Sequence, residues 1–234
     1  MRRALPCLTF LALALRTAHA DCPASTFFYG ALDPAIPIVK VAPRVDTVFS
    51  IQFCDGVHGR YDIPAGLLIA AIDYACREDL GGVPSGLETV VEDDYELVGI
   101  PPGTPVAFEA VLHLKGDGHD FGPPGGGGGA RLRATLLEGA INSTSLLRAT
   151  TGLEPAISVD EPLALPISAV AGTPVHLRVA VRAEAFDGRG ELEGLLGFTG
   201  LPPGAFLHSC RGYLSDAPVA ARRTSWGRLK AAYR

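Results

Sequence analysis

The sequence has 234 residues and a formal net charge of −5 at pH 7, and 47% of its residues are hydrophobic, so the chain can bury the core of one domain. Glycine (28) and proline (19) are abundant, which is typical of short strands joined by tight turns. All 25 acidic side chains lie in residues 21–220, and this acidic body argues against nucleic acid as a partner, because nucleic-acid binding requires a basic face.

The first twenty residues have the three parts of a cleaved secretory signal peptide. Two arginines open the chain, residues 5–15 are apolar, and Ala18-His19-Ala20 is a cleavage site of small residues. The apolar stretch is shorter than the roughly 20 residues that span a bilayer, and no later segment is long and apolar enough to do so. We therefore expect cleavage after about Ala20 and a secreted or cell-envelope protein, the alternative being a buried N-terminal helix.

Four cysteines remain once the signal peptide is removed: Cys22, Cys54, Cys76 and Cys210. An even number in an exported chain predicts two disulfides. Of the three pairings we favour Cys54–Cys76, which would join neighbouring strands, with Cys22–Cys210, which would tie the start of the domain to its end. Closing the longer loop would contribute about 4–5 kcal/mol in the chain-entropy model. A zinc site is the alternative, but no C-x-x-C pair or nearby histidine supports it.

Three strands are predicted in the first half of the body, at residues 45–54, 67–76 and 87–98. Residues 67–80 are rich in Ala and Leu and could instead form a helix. We favour a strand because Pro64 and Gly66 precede the segment and two glycines follow it.

The clearest pattern occurs twice between residues 99 and 213. Gly103-Thr104-Pro105-Val106 opens one segment of alternating apolar residues, and Gly172-Thr173-Pro174-Val175 opens another in the same phase. Each is followed by a glycine-containing turn and a second alternating segment, which predicts half-buried antiparallel strands. The turn is placed at residues 115–129 in the first copy and 186–190 in the second. This pattern predicts a hairpin duplicated within one domain, residues 21–220.

Many short strands separated by turns predict an all-β fold, an antiparallel β-sandwich, with the jelly roll as one arrangement of it. Residues 221–234 form a separate basic tail, in which Trp226, Leu229 and Tyr233 recur at helical spacing. The sequence therefore also predicts a short C-terminal helix.

The end of this tail, with Trp226, Lys230, Tyr233 and Arg234, resembles the W-G-x-L/I-K-x-x-Y-R tail of many predicted secreted bacterial proteins. The resemblance extends loosely to the preceding Leu-Pro-Pro-Gly turn, which is similar to that of secreted bacterial β-sandwich domains. It implies a bacterial envelope or extracellular protein and a sorting or anchoring partner for the tail. It implies no enzymatic activity.

No motif for catalysis stands out. A G-x-S-x-G nucleophile motif is missing, and Ser209 and His208, as neighbours on a strand, would point to opposite faces. His58 is expected in a solvated turn. The glycine run at 125–129 lacks the Lys and Ser/Thr of a phosphate-binding loop, and Asn142 opens a glycosylation sequon of the kind that is common by chance.

Acidic side chains offer weak candidates for a calcium site, which needs six to eight oxygen ligands. Glu92 and Asp94 lie in a predicted strand and would share its solvated face, whereas Asp117 and Asp120 lie in the predicted glycine-rich turn. Neither pair has the spacing of a known calcium loop. We expect no metal site and no other cofactor.

These observations predict a secreted or cell-envelope, non-catalytic β-sandwich with a binding, adhesion or structural role and an unknown ligand. One alternative is a hydrolase of extracellular polymers that uses carboxylates such as Glu92 or Asp94 as acid and base. Another is a lectin-like module that binds calcium or carbohydrate.

Overall fold

The computed structural model describes residues 26–31, 39–41, 48–54, 57–73, 85–122, 129–151, 154–209 and 211–213. The signal peptide, both favoured disulfides and the basic tail lie outside the described side chains and stay predictions. The described part of the chain holds no helix that could span a bilayer. Its strands are β1 (Thr26–Ala31), β2 (Val39–Val41), β3 (Val48–Cys54), β4 (Val57–Asp62), β5 (Leu67–Ile72), β6 (Ser85–Val98), β7 (Pro105–Asp120), β8 (Gly129–Glu138), β9 (Asn142–Ala149), β10 (Ala156–Val170), β11 (Pro174–Phe186), β12 (Gly188–Thr199) and β13 (Phe206–Ser209).

The strands form two antiparallel sheets. The order in the first sheet is β2-β1-β6-β11-β8-β9, with β13 also paired to β6, and the order in the second sheet is β10-β7-β12-β5-β4-β3. Apolar residues at alternate positions of both sheets form one buried cluster between them. The all-β, antiparallel sandwich expected from the alternation is therefore confirmed, and residues 67–72 form a strand rather than a helix.

The predicted hairpin pairing, in contrast, is wrong. β7 pairs with β10 and β12, whereas β8, its expected partner, pairs with β9 and β11 in the other sheet. The two arms of the second copy, β11 and β12, also lie in different sheets. Each copy is thus an arch between the sheets, and the arms pair between copies: β7 with β12, and β8 with β11. Alternation could not distinguish the two cases, because an arch and a hairpin both bury one face of each arm.

The first predicted turn also begins later than expected. β7 continues to Asp120, so that Lys115 and Asp117 lie within a strand. Glycine suits this part of β7 because the backbone of the neighbouring strand, β12, comes very close. A Cβ atom on Gly116 would lie 2.2 Å from the carbonyl oxygen of Glu191 on β12.

The two Gly-Thr-Pro-Val motifs lie side by side at one end of the sandwich. The backbone N–H of Gly103 donates to the carbonyl of Ala171 at 2.9 Å, and the N–H of Ala171 donates back to Thr104 at 2.9 Å. Gly103 and Gly172 have φ angles of +82° and +81°, a left-handed conformation that favours glycine. The repeat read from the sequence therefore corresponds to equivalent turns that pair with each other.

An aromatic cluster fills the core near β13. The ring of Phe198 packs against Tyr95, Phe108 and Tyr213, with ring centroids 5.2–6.0 Å apart. Tyr213 belongs to the segment that follows β13, and its hydroxyl group donates to the carbonyl of Leu196 at 3.4 Å. This packing ties the C-terminal end of the described domain to β12 and β6.

Candidate functional site

The outer face of the first sheet carries a ladder of ion pairs. Glu92 and Asp94 point outward from β6, as the alternation predicted. Arg178 Nε lies 3.3 Å from Glu92 Oε1, and His176 Nδ1 lies 2.9 Å from Asp94 Oδ1. Exposed pairs of this kind contribute about 0–1 kcal/mol each. Glu92 and Asp94 therefore lie on a solvated sheet face, where each already contacts a neighbouring side chain.

The four weak calcium candidates do not come together. Asp117 and Asp120 are on β7 in the second sheet, away from Glu92 and Asp94 on β6. Asp120 Oδ1 accepts a hydrogen bond from the N–H of Gly122 at 2.8 Å, which stabilises the end of its strand. Within the described ranges, no group of three or more His, Cys, Asp and Glu side chains is arranged to hold a metal ion.

The remaining candidates from the sequence have structural roles or lie elsewhere than expected. Ser209 is buried and His208 exposed, so they do point to opposite sides of β13. His58 lies on strand β4 and not in a turn. The side-chain amide of Asn142 donates to Glu138 Oε2 at 2.6 Å and to the carbonyl of Pro166 at 2.8 Å, which links β9 to its neighbours.

A polar depression of about 190 Å³ opens on the outer face of the second sheet. It exists because the register aligns one outward position on each of four adjacent strands: Asp117 with Glu191, Glu191 with Ala71, and Ala71 with His58. The small side chain of Ala71 leaves space between longer neighbours. We call this site the polar depression; its lining is His58, Ala71, Ile72, Asp73, Asp117, Arg189, Gly190 and Glu191.

Asp117 lies at one side of the polar depression, on β7, which is at one end of the four strands. Its Oδ2 atom lies 3.4 Å from Arg189 Nη2 and 3.3 Å from His119 Nε2. The carboxylate is 49% exposed and the Arg189 side chain 51% exposed, so both keep hydrogen-bonding capacity toward a ligand. This contact fixes an acceptor and a donor side by side at the rim.

Two rings adjoin the polar depression on the same outer side of β7. The rings of His119 and Phe121 are nearly parallel, at 13°, with centroids 6.5 Å apart, and Phe121 is 58% exposed. We call them the ring platform. Neither ring lines the polar depression itself, but His119 of the ring platform contacts Asp117, which places an apolar surface next to charged hydrogen-bonding groups.

A further carboxyl group, Asp93, is fully buried between the sheets. Burial raises the pKa of Asp93 to about 6, against the opposing effects of hydrogen bonds from Ser209 and the Asp94 backbone and of the Arg211 charge. In the sequence, Asp93 is not distinguished from the acidic residues on either side of it. Only its alternation with Glu92 and Asp94, which face outward, indicated that Asp93 faces the core.

No protein-family model matches the chain, and no curated protein matches its sequence. Among solved structures, TmCBM61 in complex with β-1,4-galactotriose aligns with 57% of this chain and 71% of its own, at 12% identity and a TM-score of 0.29. At this level of similarity, the match does not assign the chain to a family.

Proposed function

We propose that this chain is an exported, non-catalytic β-sandwich that binds a carbohydrate through the polar depression. The observation that carries the proposal is the junction of the polar depression with the exposed ring platform. A sugar presents many hydroxyl groups at its edge and apolar C–H groups on its faces. Charged side chains make strong hydrogen bonds to the hydroxyl groups, and aromatic rings cover the C–H faces.

The frame of the site favours binding. If β1–β4 and β13 are left out, the strand orders of the two sheets are β5-β12-β7-β10 and β6-β11-β8-β9. These orders match those of a jelly roll. Asp117 and Arg189 lie on the paired strands β7 and β12 of this frame, and paired strands hold side chains more firmly than loops do. Little rearrangement is then needed when a ligand binds.

The positions of four carboxyl groups, those of Asp93, Asp117, Glu92 and Asp94, support a binding role rather than a hydrolytic one. A general acid must contact the substrate and hold its proton near neutral pH. Asp93 has a raised pKa but is buried away from any ligand. Asp117 Oδ2 lies within 3.4 Å of Arg189 Nη2, so this carboxylate is placed to accept hydrogen bonds in the polar depression. Glu92 and Asp94 are engaged in ion pairs on the opposite sheet.

Export belongs to the same proposal. The signal peptide would be removed after about Ala20, the four remaining cysteines would form two disulfides, and the tail from Trp226 to Arg234 would be read by a sorting partner. Mass spectrometry of the exported protein tests the cleavage and the disulfides, and it also shows whether the tail is retained. An uncleaved N-terminus or free thiols at all four cysteines would contradict them.

The carbohydrate proposal is tested with the exported protein on a panel of immobilised and soluble polysaccharides. We expect retention on at least one of them without release of new reducing ends. Arg189→Ala should weaken binding at least tenfold. Arg178→Ala, which removes an arginine in a comparable surface ion pair on the opposite sheet, should leave binding unchanged. Release of reducing ends, or equal losses in the two variants, would contradict the proposal.

A further inference from the structure

We infer that the ring platform of Phe121 and His119 is the principal sugar subsite and that the site discriminates against acidic sugars. This inference rests on the proposed function and names the ligand class for the same site. The face of the sugar ring covers Phe121, and its hydroxyl groups reach Asp117 and Arg189.

The backbone that carries Phe121 is held in place before any ligand arrives. Phe121 follows β7 directly, and its backbone N–H donates to the carbonyl of Asp187 at 2.7 Å. The neighbouring N–H of Gly122 is held by Asp120 at 2.8 Å. A phenylalanine that is 58% exposed on a fixed backbone leaves apolar area in water, which a ligand can cover with little loss of conformational entropy.

The polar partners lie beside that apolar surface. His119 contacts both the Phe121 ring and, through Nε2 at 3.3 Å, the carboxylate of Asp117. Arg189 approaches the same carboxylate at 3.4 Å. A flat ligand on Phe121 therefore meets an acceptor and a donor along one edge, which matches adjacent hydroxyl groups of a pyranose because each hydroxyl both donates and accepts.

The charge of the site explains why an acidic sugar should be disfavoured. Among the described residues that line the polar depression, the carboxylates of Asp117 and Glu191 outnumber the one permanent cation, Arg189, and the whole chain carries a net charge of −5. A uronate or sulfate group would meet this negative field with its own negative charge.

The experiment is a calorimetric titration with a neutral oligosaccharide of hexoses and the matching oligouronide. We expect the neutral ligand to bind at least tenfold more tightly than the oligouronide. NMR spectra should show shifts of the Phe121 and His119 ring protons with the neutral ligand. Equal or tighter binding of the oligouronide would overturn the discrimination against acidic sugars.

Variants separate the subsite from the rest of the proposal. Phe121→Ala should weaken binding of the neutral ligand at least tenfold, whereas Phe121→Tyr should retain it. Leu147→Ala removes an apolar side chain of 60% exposure on the first sheet and should change nothing. If Arg189→Ala weakens binding but Phe121→Ala does not, the subsite is wrong while the proposed function stands. If no saccharide binds, both fail.

Discussion

The buried carboxyl group of Asp93 is hydrogen-bonded to the side chain of Ser209, which joins β6 to the C-terminal strand inside the sandwich. Ser209 in turn accepts hydrogen bonds from the N–H groups of Arg211 at 3.2 Å and Tyr213 at 2.8 Å. A single polar cluster thus organises the end of the described domain. Because its acid has a pKa of about 6 rather than 3.8, the cluster should make stability depend on pH.

The first prediction concerns Asp93→Asn. The folded state binds a proton at Asp93 more tightly than the unfolded state, so this group favours folding at low pH and less so as the pH rises through 6. Between about pH 4 and 7 the contribution of Asp93 to the free energy of unfolding should fall by up to about 3 kcal/mol. Asp93→Asn cannot titrate and should lack this part of the slope. Urea unfolding across that range measures it, with Glu96→Gln, at an exposed position of the same strand, as control. Equal slopes in Asp93→Asn and wild type would contradict the prediction.

The second prediction concerns Ser209→Ala. The substitution leaves two buried N–H groups, those of Arg211 and Tyr213, without the hydroxyl oxygen that accepts their hydrogen bonds. We expect a loss of about 2–4 kcal/mol in the free energy of unfolding. Ser168→Ala, at an exposed position of β10, should cost less than about 0.5 kcal/mol. Similar midpoints for the two variants in urea would show that the hydroxyl of Ser209 does not hold the segment.

A third prediction compares two glycines with similar backbone angles. Gly99 and Gly103 have φ of +87° and +82°, but a Cβ on Gly99 would lie 2.1 Å from the Gly204 carbonyl oxygen, whereas one on Gly103 meets nothing within 4 Å. Gly103→Ala should cost about 1–2 kcal/mol, from the left-handed conformation alone. Gly99→Ala should cost more, because the backbone must also shift. Thermal unfolding of both variants gives the comparison, and equal losses would be inconsistent with the close contact.

The fourth prediction separates the ring of Tyr213 from its hydroxyl group. The ring packs against Phe198 and Tyr95 at centroid distances of 5.6 and 5.9 Å, whereas the hydroxyl makes one long hydrogen bond to Leu196. Tyr213→Phe should therefore change stability by less than about 1 kcal/mol. Tyr213→Ala should cost about 3–5 kcal/mol, since it opens a cavity in the core. Chemical unfolding of the pair is the measurement, and a large loss in Tyr213→Phe would reverse the assignment.

Much of the sandwich was predictable because alternation reports which face of a strand is buried. Val106, Phe108 and Ala110 face the core, and Glu92 and Asp94 face water, as their positions indicated. Alternation carries no information on the partner of a strand. The exchange of arms between the two copies therefore became visible only in the register that pairs Gly188 with Asp120 and Phe186 with Gly129.

The site was less predictable for the same reason. From the sequence, Asp117 was predicted only as a weak candidate for a metal ligand, and His58 only as a turn residue. They come together because four strands from distant parts of the chain are aligned side by side, which places Arg189 and Glu191 between them. The sequence did not indicate that Phe121 belongs to a site, since a single phenylalanine at the end of an alternating segment is equally consistent with a core position.

The exchange of arms has a consequence for the order of folding. Thr199 on β12 hydrogen-bonds Glu109 on β7 across 90 residues, and β11 lies between β6 and β8 in the first sheet. In a chain that emerges N-terminus first, the second sheet cannot be completed until β12 is available, and the first cannot be completed until β11 and β13 are available, so the early strands of both sheets must wait with unpaired edges. Folding dominated by such distant contacts is slow, and the incomplete chain is open to aggregation. The time before β12 emerges is therefore the interval in which this protein is most vulnerable.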